Sequence, residues 1–116
     1  MTLALPSIRT AAWAGRIRWR HHALRRAHQR GITRKQALRV LRSGEIVEQR
    51  PRAKPLPKCL LVAMVAPGRP LYVSVAYDEA RGYLHVITLH WLDPRKWEDF
   101  WTRRARPPKL NREQNE

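Results

Sequence analysis

Three polar side chains recur at a spacing of four residues near the amino-terminal end of the sequence, namely His22, Arg26 and Arg30. Residues four apart are neighbours on one face of a helix, so one imidazole and two guanidinium groups would point the same way. Histidine transfers protons near neutral pH, and arginine stabilises negative charge on phosphate. These groups suit metal-independent RNA cleavage, in which a base removes the 2′-hydroxyl proton and cations stabilise the phosphorane.

The predicted strands carry further candidates for this chemistry. His90 and Thr88 share one face of the last predicted strand, and Tyr72 lies on the strand before it. The sequence leaves open whether that face turns towards His22. We predict a catalytic set of His22, Arg26 and His90, with RNA contacts from Arg30, Arg25, Lys58, Tyr72 and Thr88.

The histidines and arginines of the first helix also have simpler interpretations. His22 would then cap or pack the helix, while Arg26 and Arg30 would be solvated or would contact a protein partner. A metal site is not expected, because His21, His22 and His28 lack the i, i+4 spacing and have no carboxylate nearby. We therefore expect neither a metal nor a cofactor.

The composition is strongly basic, with 24 Lys and Arg residues against 9 Asp and Glu and a formal charge of +15. Residues 1–50 alone hold 12 basic and two acidic residues, whereas residues 51–100 are nearly balanced. Such a field attracts polyanions, and arginine offers phosphate a planar, bidentate fork. We expect an RNA partner. An acidic protein partner would explain the excess of basic residues equally well, and so would the arginine-rich composition that a GC-rich genome produces.

The remaining composition narrows the class of protein. A single cysteine, Cys59, excludes an internal disulfide and a cysteine metal cluster. No apolar run reaches the ~18 residues of a membrane helix, and Arg9 interrupts any signal-like segment, so we expect a cytoplasmic protein without membrane contact. The expected organisation is a flexible extension over 1–16, one domain over 17–104 and a disordered tail over 105–116.

Two helices are predicted in the basic half. The first begins near Arg18 and ends before Gly31, which suits the left-handed conformation that closes a helix. Thr33 and Gln36 have the spacing of a capping box, so a second helix begins there and ends at Gly44. The two helices therefore meet at a tight corner.

Strands and a last helix follow. Strands are predicted over 45–50, 59–66, 71–77 and 83–91, the last three as an antiparallel meander. Alternation in the last strand places residues 83, 85, 87, 89 and 91 on one face. Asp93 and Pro94 mark the start of a helix that buries Trp97, Phe100 and Trp101. The predicted fold is α+β, with two N-terminal helices, a four-stranded, mainly antiparallel sheet and a C-terminal helix.

Several short blocks resemble a small bacterial family catalogued as domain of unknown function 4258. The opening block is His22-Ala23 with Arg26 and Arg30-Gly31-Ile32-Thr33, and the closing block is Asp93-Pro94 with Trp97. The blocks between them are 44–48, 57–61, 69–73 and 86–88. The resemblance covers roughly Trp19 to Trp101, and it depends on the order and spacing of the blocks together.

The resemblance implies a RelE-like or BrnT-like toxin of a type II toxin-antitoxin system. It implies an endoribonuclease acting on mRNA, on the ribosome in some cases, and a cognate antitoxin that is a zinc-finger or helix-turn-helix protein. It does not establish cleavage, because such folds use diverse residues. The alternative is a non-catalytic basic module that binds RNA or a partner and is neutralised by, or co-regulates with, an acidic antitoxin.

Overall fold

The computed structural model describes residues 5–92, which form three helices and five strands. The longest helix has ten residues, and none within this range is long and apolar enough to cross a bilayer. The helices are α1 (Leu5–Trp13), α2 (His21–Gln29) and α3 (Arg34–Ser43). The strands are β1 (Ile17–Trp19), β2 (Glu45–Arg50), β3 (Lys58–Ala66), β4 (Arg69–Asp78) and β5 (Tyr83–Trp91).

The five strands form one mixed sheet in the order β1-β5-β4-β3-β2. The antiparallel meander of β3, β4 and β5 is confirmed, and β2 joins it at the edge. The prediction of four strands was wrong, because β1 runs parallel to β5 and pairs Ile17 with Leu84. Three residues are too few for an alternating pattern, and Trp19, which was expected in the first helix, belongs to this strand.

The amino-terminal segment folds into the domain where a flexible extension was expected. Helix α1 buries Ile8, Ala11 and Ala12 completely in the main core. Arg9, which interrupts the apolar pattern, donates from Nη2 to the carbonyl of Gly44 at 3.1 Å. The predicted C-terminal helix from Asp93 and the predicted tail over 105–116 lie outside the described residues.

The predicted corner between α2 and α3 is confirmed in detail. Gly31 has φ of 66°, the left-handed conformation expected after a helix. Thr33 Oγ1 accepts from the backbone N–H of Gln36 at 3.1 Å, and Gln36 Oε1 accepts from that of Thr33 at 2.9 Å. Ile32 between them is buried, so the corner is held to the core.

Both faces of the sheet carry apolar clusters, and the three helices cover one face. We call this the helix face and the other the open-side face. The main core joins buried residues of all three helices to alternate residues of β3, β4 and β5. A smaller cluster of Leu60, Val62 and Tyr72 lies on the open-side face.

A bulge in β5 decides which of its side chains lie on the open-side face. Ser74 pairs with Thr88, but the next residue, Val75, pairs with Val86, so Ile87 is an extra residue. The alternation therefore changes phase, since one inserted residue reverses the side on which every later side chain lies. Leu84, Val86 and Leu89 all enter the main core, which corrects the predicted face assignment beyond the bulge.

Candidate functional site

A line of paired residues, three of them polar, crosses the open-side face from β2 to β5. In register, Glu48 pairs with Leu60, Leu60 with Ser74, and Ser74 with Thr88. Side chains of directly paired residues lie on the same face of a sheet. The line therefore carries a carboxylate at the β2 end and hydroxyl groups towards β5.

A cavity of about 250 Å³ lies along this line. Glu48 and Arg50 contribute from β2, Lys58 from β3, and His90 from β5. One carboxylate, one imidazole and two cations thus converge within a single concave site. The other described residues that line it are Cys59, Leu60, Ser74, Ile87 and Thr88.

Glu48 and His90 stand at opposite sides of the cavity. β2 and β5 are three strand spacings apart, which places the two backbones about 14 Å from each other along the sheet. His90 also lies two residues beyond Thr88 along β5, and Thr88 is the residue in register with Glu48. Glu48 and His90 both line the cavity.

Tyr72 supports the imidazole of His90. The two residues are paired across β4 and β5, and their rings stack with centroids 5.2 Å apart and planes within 4°. Tyr72 is fully buried, so its ring packs against the protein instead of offering a platform for an RNA base. The stack holds the plane of the His90 ring.

The structure brings together four of the predicted site residues. Lys58, Thr88 and His90 line the cavity, and Tyr72 stacks on His90. All four are carried by adjacent strands of the meander. His90, Thr88 and Tyr72 were candidates on predicted strands, whereas Lys58 was expected in the loop before residue 59.

The predicted residues of α2 do not join this group. Ala23 and Ala27 pack α2 into the main core on the helix face. His22, Arg25 and Arg26 are exposed on that helix. The sheet therefore separates His22 and Arg26 from His90, and the three residues do not form one site.

Arg30 has a structural role at the end of α2. Its Nη1 donates to the carbonyl of Leu89, and its own carbonyl accepts from Trp91 Nε1 at 2.8 Å. These two bonds connect the carboxyl end of α2 to the end of β5. The guanidinium is therefore committed to the fold, on the same side of the sheet as Arg26.

Glu48, Arg50 and Ser74 were not among the residues predicted for the site. The sequence did contain a signal, because Glu48 and Arg50 are two apart in a predicted strand and so share a face. Glu48 is also one of only two acidic residues among the first 50. What the sequence lacked was the register that places this strand beside Lys58.

Cys59 at the cavity and His85 towards the β1 edge of the sheet have shifted pKa values. Burial raises the pKa of the Cys59 thiol to about 12, so this thiol stays protonated and is a poor nucleophile. Burial is the largest cause that lowers the pKa of His85. The charges of Arg20 and Arg18 lower this pKa further, and the carboxylate of Asp78 opposes them. Among residues 5–92, no cluster of three or more His, Cys, Asp or Glu side chains is placed to hold a metal ion.

Comparison with known sequences finds one family. The profile described as Domain of unknown function (DUF4258) matches residues 19–91, which is more than half of the chain. No curated protein and no solved structure matches the chain. The matched range runs from the last residue of β1 to the last residue of β5, so it includes every described residue of the cavity.

Proposed function

The chain belongs to the DUF4258 family, and on that premise we propose that it binds RNA and cleaves it without a metal at the open-side cavity. The observation that carries the proposal is the convergence of Glu48, His90, Arg50 and Lys58 on one cavity. Attack of the 2′-oxygen on phosphorus with loss of the 5′-oxygen needs a base, an acid and fixed positive charge, and these four side chains provide all three. The charge of +15 supports a polyanionic substrate.

In the proposed reaction Glu48 is the base and His90 is the acid. The Glu48 carboxylate takes the 2′-hydroxyl proton, the 2′-oxygen bonds to phosphorus, and the bond from phosphorus to the 5′-oxygen breaks. The His90 imidazolium protonates the departing 5′-oxygen, which leaves a 2′,3′-cyclic phosphate and a 5′-hydroxyl. Arg50 and Lys58 stabilise the extra charge of the phosphorane.

We propose further that this cleavage makes the protein a toxin in the cell. Cleavage of mRNA would arrest growth, and a cognate antitoxin would have to cover the cavity or the basic surface. An acidic zinc-finger or helix-turn-helix protein would match the charge of the chain. Co-purification with the product of a neighbouring gene is the measurement that addresses this partner.

A second candidate function is non-catalytic binding through the helices. Arg25 and Arg26 on α2, together with Arg34 at the start of α3, are exposed. These cations favour a basic module that binds RNA or an acidic partner on the helix side of the sheet. This module would bind RNA in a salt-dependent manner and leave it intact.

The test is a cleavage assay on labelled single-stranded RNA in the presence of EDTA. Glu48→Gln and His90→Ala should each slow cleavage by about 10²–10⁴-fold, the usual contribution of a general acid or base. His22→Ala and Arg26→Ala, purified in parallel, are the controls and should cleave at the wild-type rate. The product should carry a 2′,3′-cyclic phosphate, and a 2′-deoxy linkage should resist.

Two outcomes would contradict the proposal. If wild-type protein binds RNA but leaves it intact after prolonged incubation, the non-catalytic module is favoured. If cleavage depends on His22 or Arg26 and not on Glu48 or His90, the active site lies on the helix side of the sheet.

A further inference from the structure

A second line of side chains crosses the open-side face beside the cavity, and we propose that it binds single-stranded RNA perpendicular to the strands. This cross-strand row consists of Arg50, Lys58, Ala76, His85 and Arg18. The inference rests on the proposed function for its substrate class. Arg50 and Lys58 already line the cavity, and the row adds His85 and Arg18 towards the β1 edge.

The row is defined by the register of all five strands. Arg50 pairs with Lys58, and Lys58 pairs with Ala76. Ala76 pairs with His85, and His85 pairs with Arg18 on the parallel strand β1. The row therefore runs without a break from one edge of the sheet to the other.

The chain neighbours of the row show which face it occupies. Three members of the row have a neighbour in the chain that is buried in the main core: Cys59 follows Lys58, Val75 precedes Ala76, and Leu84 precedes His85. Ile17 and Trp19, on either side of Arg18, also pack against that core. Because side chains alternate along a strand, the row lies on the open-side face, as Arg50 and Lys58 do in the cavity.

The dimensions and chemistry of the row suit an extended strand. Four strand spacings give a length of about 19 Å. Cations stand at both ends, while Ala76 in the middle is small and buried. Single-stranded RNA fits the cleavage chemistry as well, because an A-form duplex holds the 2′-oxygen out of line with the departing 5′-oxygen.

Arg18 gives the β1 end a defined phosphate site. Its guanidinium carbon lies 4.9 Å from the ring centre of Tyr83, which orients the planar group by a cation–π contact. A guanidinium held in this way still presents its N–H edges for bidentate contact with phosphate. The nearby carboxylate of Asp78 is already paired with Arg81 at 3.1 Å.

His85 contributes differently from the arginines. Burial and the neighbouring Arg20 and Arg18 lower its pKa, with Asp78 opposing, which favours the neutral imidazole. A neutral imidazole offers one donor and one acceptor, which suit a base edge or a 2′-hydroxyl. The row then offers phosphate contacts from Arg50 and Lys58 at one end and from Arg18 at the other, with a polar contact from His85 beside Arg18.

The test measures fluorescence anisotropy of a labelled 2′-O-methyl oligouridylate of twelve nucleotides, which the proposed reaction cannot cleave. Arg18→Ala should weaken binding about tenfold near 0.1 M salt and reduce the slope of log K against log salt by about one. Arg18→Lys should recover part of the affinity. Arg39→Ala, which removes an exposed arginine on α3, is the matched control and should change affinity less than twofold.

Each outcome decides between defined alternatives. Equal losses for Arg18→Ala and Arg39→Ala, or equal affinity for a duplex of the same length, would overturn the row as a specific site. If Arg18→Ala weakens binding but wild-type protein never cuts RNA, the row stands and the proposed cleavage fails. If RNA is cut and Arg18→Ala changes neither affinity nor KM, cleavage stands and the row fails.

Discussion

The indole N–H of Trp91 donates a hydrogen bond to the backbone carbonyl of Arg30 at 2.8 Å. Arg30 in turn donates from its guanidinium to the carbonyl of Leu89, so α2 and β5 are joined by two bonds in opposite directions. Arg69 lies on the neighbouring strand β4, and its guanidinium carbon is 4.1 Å from the centre of the Trp91 ring. Through these contacts, the end of α2 is tied to the end of the strand that carries His90.

The bond from Trp91 to Arg30 should contribute measurably to stability. Trp91→Phe keeps an aromatic ring but removes the donor, so the free energy of unfolding should fall by about 1 kcal/mol. Urea denaturation followed by circular dichroism measures this change. Trp13→Phe is the matched control, because Trp13 is 66% exposed and should shift stability by less than about 0.5 kcal/mol. Equal stability of Trp91→Phe and wild type would show that the bond contributes nothing.

His85 should make stability depend on pH. Its folded pKa lies below the ordinary value of 6.5, so the unfolded chain binds the proton more readily. The stabilising contribution is therefore complete above pH 6.5 and is lost as the pH falls from 6.5 through the folded pKa. Urea midpoints at pH 7.5 and 5.5 measure the loss, which should be smaller in His85→Gln. An identical pH dependence in that variant would assign the effect to other groups.

Cys59 should report on global unfolding. Its side chain is buried and its pKa is raised to about 12, so almost no thiolate is present at pH 8. A thiol reagent should therefore react slowly with native protein and rapidly in denaturing urea. The labelling rate should rise in destabilised variants such as Trp91→Phe. Fast labelling of the native protein would mean that β3 opens locally.

Local features of this fold were predictable from the sequence, and long-range ones were not. The corner at Gly31 and Thr33 depends on residues within one turn of each other, and it was predicted with its hydrogen bonds. The pairing of Ile17 with Leu84 joins residues far apart in the chain, and no local pattern indicates it. Helix α1 was missed because Arg9 interrupts its apolar pattern, although that side chain reaches Gly44.

The candidate site divides in the same way. His90, Thr88 and Tyr72 were predicted because strand alternation sets polar residues among apolar ones, whereas Lys58 lay in the predicted loop before residue 59. The extra residue Ile87 was not predictable, since no sequence signature marks this bulge. Because of it, Thr88 and His90 lie on the face opposite to Leu84 and Val86, with which the predicted alternation had grouped them. Grouping His22 with His90 required knowledge of the side on which α2 packs, which the sequence does not contain.

Gly44 should resist substitution because of close packing and not because of its backbone conformation. Its φ is −75°, which any residue adopts, but a Cβ there would lie 2.5 Å from the carbonyl oxygen of Val40 and 2.9 Å from that of Val62. Gly44→Ala should therefore force α3 away from β3 and cost about 1–3 kcal/mol, the usual range for overpacking.

Gly68 provides the matched control for this steric explanation. It has φ of 69° and open space where a Cβ would lie, so its constraint is purely conformational. Asparagine tolerates the left-handed region, so Gly68→Asn should be close to neutral, whereas Gly44→Asn should be at least as destabilising as Gly44→Ala. Thermal unfolding of the three variants measures this order. If Gly44→Asn were as stable as Gly68→Asn, the contact between the end of α3 and β3 would have to be looser than the structure has it.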